Sequence, residues 1–416
     1  MVEPSPTPMA PPPRTRLLRG NPAFRALCAS RAVSFVGDGI TTTVLVVLAA
    51  RQDGPIGVSL LLLANALPRL AGPLAGVLAD RIPTRRLMMR CELASALVIG
   101  LIAVTLPPLM ILIPLVVLAG ALATIRNPAG RSLVPVLVDA PDRAPANALF
   151  GFARTLQLAV GPGLGGLLAA GPGGIHTALA VDAATFAVSA LLLTGLPVLE
   201  PTRDPAAVTG VWAEAAAGLR YVAADRQVRT LILTLFVIVA FAGVDNVALV
   251  FLAGDQLGGG PAGYGLAASA FGLGMLLASV ACTRLARGRS PVALLVVAIA
   301  ASGAGTVLTG LAPALAVVLV AQLLAGTGNA GENIGYDTVI QNVVPRPMLG
   351  RVFGTLGTAA QLGAGFAYLA GGLSVNLVGA RATFVLAGAG TLAVLLVLVP
   401  ALRRTPHPDP GVRRSG

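Results

Sequence analysis

Apolar residues gather into stretches of about 20 residues separated by short polar connectors, the length at which a helix crosses a hydrocarbon core. Twelve such stretches can be drawn, at about 24–50, 57–79, 87–107, 109–133, 148–170, 175–198, 228–253, 262–283, 291–310, 313–337, 351–373 and 378–401. The pattern predicts an all-α integral membrane protein. Only Pro107 and Pro108 mark the turn between the third and fourth stretches. The longest connector, 199–227, separates six stretches from six. Within it, Val211 to Arg226 mixes Trp212, Leu219 and Tyr221 with Glu214, Arg220 and Asp225. That mixture suits a helix lying on the membrane surface or a plain cytosolic linker helix. The expected organisation is a tail at 1–20, a six-helix bundle at 21–198, a linker at 199–227, a second bundle at 228–402 and a tail at 403–416.

Composition agrees with the pattern: 56% of the 416 residues are hydrophobic, 11% are charged, and mean hydropathy is +0.85. The net charge of +12 comes from arginine alone, since the chain has no lysine. These arginines sit in connectors beside apolar segments, so they read as topology rather than as a nucleic-acid surface. Arg81, Arg85, Arg86, Arg131, Arg143, Arg203, Arg220, Arg226, Arg284, Arg287, Arg289 and Arg346 fall on one side, with little beyond Arg51 and Arg381 on the other. The asymmetry predicts both termini in the cytoplasm. A phosphate-binding loop needs a lysine that is absent here, and no zinc-protease or nucleophile-elbow pattern occurs. No enzyme, cofactor or metal site is expected. Cys28, Cys91 and Cys282 lack ligand spacing and read as small core residues.

The halves match at an offset of 206 residues. Phe35 and Gly37 correspond to Phe241 and Gly243. Gly54, Pro55, Gly57 and Leu60 correspond to Gly260, Pro261, Gly263 and Leu266. Arg81 matches Arg287, and Arg126 matches Glu332. Two parallel repeats imply a pseudo-twofold axis along the membrane normal and rocking about a central site. Asp38 and Asp245 lie at nearly equivalent places inside apolar segments. A charge at such depth must face a partner or a water-filled path. Counted from Phe24, Asp38 falls roughly 20 Å along its helix, where it would pair with a cation, with Arg31 one face away, or hold a proton.

The loop Gly76-Val-Leu-Ala-Asp80-Arg81-Ile-Pro-Thr-Arg85-Arg86 resembles the signature of the major facilitator superfamily, with Pro83 standing where a glycine is usual. Pro128 to Pro135, Ala146 to Leu149, Asp182 to Phe186, and Gln341 to Pro345 followed by Gly350 to Gly354 resemble its drug, macrolide and siderophore (enterobactin-type) exporters. Gly161-Pro162, with Gly165 and Gly166, is similar to the end of an antiporter motif whose earlier glycine is Gln157 here. The resemblance implies a twelve-span fold. It also implies a conformational latch in which Gly76, Asp80, Arg81, Arg85 and Arg86 meet the next bundle near Arg351, an acid beside a helix N-terminus being favourable.

In that fold, spans one, four, seven and ten line a central cavity. Asp38, Asp245 and Glu332 become proton-coupling candidates; Arg126, Asn329, Glu332, Asn333 and Tyr336 become cavity candidates. Arg126 and Glu332 would pair across the cavity as a gate or each pair locally. The expected activity is proton-coupled efflux of an amphiphilic drug-like or siderophore-like molecule from a bacterial plasma membrane. The partners would be substrate, protons and lipid, with no nucleic acid, for a chain working as a monomer. Uptake by proton symport is the alternative, and a non-transporting receptor or scaffold a second one.

Overall fold

The computed structural model describes residues 15–71, 82–197, 211–285 and 290–403, and its regular structure is helical. The first half holds α1 (Thr15–Gly20), α2 (Pro22–Ala66), α3 (Thr84–Thr105), α4 (Leu109–Ser132), α5 (Val134–Leu137), α6 (Arg143–Ala159), α7 (Gly161–Ala170) and α8 (Gly174–Leu193). After the linker helix α9 (Val211–Ala224) come α10 (Arg226–Ala242), α11 (Asp245–Leu249), a π-helical turn (Val250–Gln256), α12 (Gly260–Leu285), α13 (Pro291–Leu311), α14 (Leu315–Val343) and α15 (Leu349–Arg403). Among the described residues, nine helical stretches are long and apolar enough to cross a membrane.

The sequence pattern expects twelve, and local backbone chemistry accounts for the difference. α2 carries non-helical Asp53 and Gly54, the latter at φ 61°. α15 is interrupted at Gly379, φ 81°. A left-handed backbone is cheap for glycine, which has no Cβ to clash. The fifth apolar segment is divided at Val160 into α6 and α7, each below spanning length. Left-handed glycines recur with the sequence repeat: Gly54 and Gly260 are 206 residues apart, Gly174 and Gly379 205 apart.

α2 starts where its sequence says it should. The Asn21 side chain accepts from the Phe24 amide at 2.9 Å, satisfying one free N–H of the first turn, and Pro22 occupies a position that needs none. Asn21 also donates to the Leu137 carbonyl at 2.6 Å, tying this helix start to α5. The linker helix packs along the start of α15, with Gly218 against the Arg351 backbone and Val222 buried.

At several glycines the two halves approach closely along their backbones. Gly166 of α7 lies against Gly265 of α12, Gly272 of α12 against the Leu158 carbonyl, and Gly372 of α15 against Pro55 and Ser59 of α2; a Cβ at any of these glycines would collide. Where α7 restarts after Val160, the Gly163 amide has no partner in its own first turn. It donates instead to the Ser269 hydroxyl of α12 at 2.7 Å, a helix cap supplied by the other half.

Among the described residues, buried apolar packing joins the halves at one end. One cluster combines Val44, Leu48, Leu61 and Ile102 of the first half with Val247, Leu252, Ala267 and Phe384 of the second. At the end carrying the starts of α2 and α10, two clusters stay separate. Phe24, Met88 and Phe150 form one, wholly in the first half; Val228, Ile299 and Leu398 form the other, wholly in the second. Among the described residues, buried apolar packing thus joins the halves at the far end, and the two clusters near the termini each stay within one half.

Candidate functional site

Asp38 and Arg31 sit two turns apart on one face of α2, and both turn toward α3 and α4. The Asp38 carboxylate accepts from Arg126 Nη2 with both oxygens, at 2.9 and 2.8 Å. Arg126 Nη1 reaches Glu92 Oε2 at 3.3 Å, and Arg31 Nη1 reaches Glu92 Oε1 at 3.0 Å. Charges alternate along the chain Asp38, Arg126, Glu92, Arg31, so the ionised network is neutral. Arg31 Nη2 also donates to Asn127 Oδ1 at 2.7 Å, and Ser34 donates to Glu92. The guanidinium carbons of Arg31 and Arg126 stand 4.3 and 4.8 Å from the ring centres of Phe35 and Phe186, so apolar surroundings still solvate the cations.

Arg31 and Glu92 are fully buried and Arg126 is 1% exposed, whereas the Asp38 side chain is 18% exposed. Asp38 is thus the one carboxylate of the network that water or a proton can reach. Beside it, buried Asp182 accepts from Thr41 and from Thr185. A side chain at Gly37 would collide with Asp182, so that glycine lets α2 and α8 close on the carboxyl.

Several sequence expectations change here. Arg126 and Glu332 do not pair. Arg126 is held by Asp38 and Glu92 in its own half, while Glu332 is 3% exposed and, among the described residues, has no ion pair and no hydrogen bond to Oε1. Asp38 takes Arg126, not Arg31, as its partner. Glu92 bridges Arg31 and Arg126.

The polar face expected on α14 splits in two, because successive residues on a helix point about 100° apart. Glu332 and Tyr336 turn inward, with the Tyr336 hydroxyl 3.1 Å from Thr234 Oγ1. Asn333 turns outward and bonds to half-buried Asn329 at 3.0 Å. Asp245 is half-buried beside Asn246, whose amide donates to it at 2.9 Å. Of the loop residues, Gly76, Asp80 and Arg81 lie outside the described residues. Arg85 donates to the Leu196 carbonyl at 2.8 Å, Arg86 is exposed, and Arg351 lies 3.6 Å from the Met348 sulfur. Gly161, Pro162, Gly165 and Gly166 are buried in α7, with Gly161 and Gly165 against α2 and Gly166 against α12.

Glu92 is not among the site residues expected from the sequence, yet it links the two arginines of the network. Its signal is an acid at the ninth position of a 22-residue apolar helix, with no cation one turn away on its face; Arg85, two turns back, is bound to the Leu196 carbonyl. Among the described residues no group of His, Cys, Asp and Glu could hold a metal ion.

The chain is similar to several known transporters along nearly its whole length. The multidrug efflux pump Tap of Mycolicibacterium fortuitum is 29% identical over 403 residues, covering 91% of this chain and 95% of Tap. The enterobactin exporter EntS of Shigella boydii is 28% identical over 413 residues, covering 96% and 97%. YfiS of Bacillus subtilis, an uncharacterized MFS-type transporter, is 25% identical over 399 residues, covering 92% and 93%. Among solved structures, the nucleoside transporter NupG superposes with a TM-score of 0.71 at 13% identity, over 92% of this chain and all of NupG. An auto-inhibited peptide transporter of the POT family reaches 0.70 at 12% identity, over 94% and 98%. These two likenesses speak to fold alone. The family model described as transmembrane secretion effector matches residues 18–402. The chain belongs to that family of the major facilitator superfamily, and it is a secondary transporter of small molecules across a membrane, not an enzyme.

Proposed function

We propose that the chain exports an amphiphilic drug-like or siderophore-like molecule in exchange for protons, by alternating access in a bacterial plasma membrane. The carrying observation is the ion pair of Asp38, the one partly exposed carboxylate in an otherwise buried network. A proton arriving at Asp38 removes its charge, leaves Arg126 shared with Glu92 alone, and changes the network from neutral to singly positive. A change of charge at that depth alters which arrangement of the halves is favoured, and through it the affinity for substrate.

Architecture supports the same reading. Counting the breaks at Gly54 and Gly379 as turns and α6 with α7 as one span brings the nine helical stretches to twelve, six on each side of the linker helix. The bundles are then 21–198 and 228–402, with both termini on the arginine-rich, cytoplasmic side. Halves joined by buried apolar packing at the far end, with separate clusters near the termini, fit an inward-open transporter. Export is favoured over uptake by the relatives, one a multidrug efflux pump and another an enterobactin exporter.

Everted membrane vesicles with an imposed proton gradient test this reading, using a panel of amphiphilic drugs and a catecholate siderophore. The parent should accumulate at least one compound, and dissipating the gradient should abolish accumulation. Asp38→Asn should still bind that compound but fail to concentrate it. Accumulation in intact cells with none in everted vesicles would reverse the direction.

A further inference from the structure

Two arginines of the first half lie inside apolar stretches and take no part in the Asp38 network. Arg69 sits in the second stretch, in a 3-10 helical turn (Leu67–Ala71), and donates to Asn65 Oδ1 at 2.9 Å. Arg154 sits in the fifth, on α6. Both are exposed, and neither has an ion-pair partner among the described residues. A cation at that depth is costly against lipid, so each must open on water or on a ligand.

Their neighbours place them in the space between the halves. The first half touches the second along two seams. In one, the run of α2 after Gly54 lies on α15, with Gly372 against Pro55 and Ser59; in the other, α6 and α7 lie on α12, with Gly272 against the Leu158 carbonyl. The turn that carries Arg69 belongs to the first seam, packing on α15 as well as on α4. Arg154 belongs to the second, one turn before Leu158 on α6. Yet the two arginines are within Coulombic reach of each other, and Arg69 is also within reach of Tyr368 on α15. Side chains from different seams approach one another only across what the seams enclose. Arg131, next to last on α4 and exposed, is within reach of Arg154 too and completes a group of three cations.

Three like charges held together repel one another, and low-dielectric walls strengthen both that repulsion and the attraction for an anion that enters. The nearby carboxylates of the first half are engaged elsewhere: Asp38 holds Arg126 with both oxygens, and Asp182 is fully buried. We propose that Arg69 and Arg154, with Arg131 beside them, bind the acidic head of an amphiphilic cargo, a carboxylate or a group of like charge and shape. This rests on the reading of the chain as an exporter of amphiphiles and narrows it to anionic ones. A guanidinium fork meets a carboxylate with two parallel hydrogen bonds, whereas a cationic molecule of the same bulk is repelled.

The test uses the full chain in phosphatidylcholine nanodiscs and compares equilibrium binding of dansylaminoundecanoic acid with that of its primary amide, a neutral molecule of the same size. The parent should bind the acid about tenfold more tightly, and added salt should erode that preference. Arg69→Gln and Arg154→Gln should each bring the two affinities within about threefold of each other while leaving the amide's own affinity unchanged. Arg69→Lys should keep more of the preference than Arg69→Gln. Phenylglyoxal modification of Arg69 and Arg154 in the parent, read by peptide mass mapping, needs no variant and should be slowed by the acid but not by the amide. Equal affinities in the parent, no binding of the acid, a preference that survives both glutamine variants, or modification rates that the acid leaves unchanged would each overturn the proposal. A lipid headgroup could offer the same anionic chemistry, so phosphatidylglycerol is added to the nanodiscs. The acid's affinity should stay within about twofold; its displacement would assign the arginines to lipid and overturn the proposal as well. None of these measurements uses a gradient. A preference for the acid without proton-driven accumulation leaves this site standing and removes the exchange mechanism, whereas accumulation of a neutral or cationic compound without that preference does the reverse.

Discussion

The two halves share a repeat but differ in their buried charge, for although each encloses a carboxyl with no ion pair among the described residues, Asp182 in the first and Glu332 in the second, the first half alone also holds a network of ion pairs there. In the first, four charges on three helices form one alternating network, and both cations also lie over aromatic rings. In the second, Glu332 is enclosed without an ion pair and Asp245 has only its neighbouring asparagine. An enclosed carboxyl with no cation is tolerable when it carries its proton; an ionised network is tolerable only while every member is present. Loss of a single charge is therefore expected to disturb the first half more than the second.

The largest test of this contrast is Arg126→Gln, which leaves Asp38 and Glu92 facing each other without their shared cation. Thermal unfolding in detergent should show a loss of about 3–5 kcal/mol, with no transport remaining. Asp38→Asn should cost far less stability, because Arg126 keeps Glu92, yet it should abolish gradient-driven accumulation in vesicles. Ser269→Ala removes the cap that α12 lends to α7 and should lower stability by about 1 kcal/mol, read in the same unfolding experiment. Glu332→Gln should change the midpoint least, by under about 0.5 kcal/mol. A loss matching that of Arg126→Gln would show that Glu332 is ionised and wired after all, erasing the difference between the halves.

Much of this was legible in the chain. The apolar segments, the linker helix and the repeat follow from spacing, and Gly54 with Gly260 marked equivalent turns before their backbones were known to be left-handed. Burial of Asp38 followed from its place along a span. Its partner did not, because helical periodicity gives the direction of a side chain relative to its own axis but not which neighbouring helix lies there. That is why the sequence offers Arg31, on the same face, as one partner among several, while the structure pairs Asp38 with Arg126. The split between Glu332 and Asn333 has the same origin. A cluster of polar residues reads as one face in a sequence, yet two adjacent positions differ by more than a quarter turn.

The glycine contacts between α7 and α12, and between α15 and α2, bear on how often the molecule can cycle. Interlocked leucines pulled apart would expose an oily surface that water resists and that other hydrophobic molecules would foul. Main chain resting on main chain offers little of that surface, and any carbonyls uncovered on separation can be wetted at once. Such contacts part at less cost than interlocked side chains would, so α7 can leave α12, and α15 leave α2, with only a modest driving force.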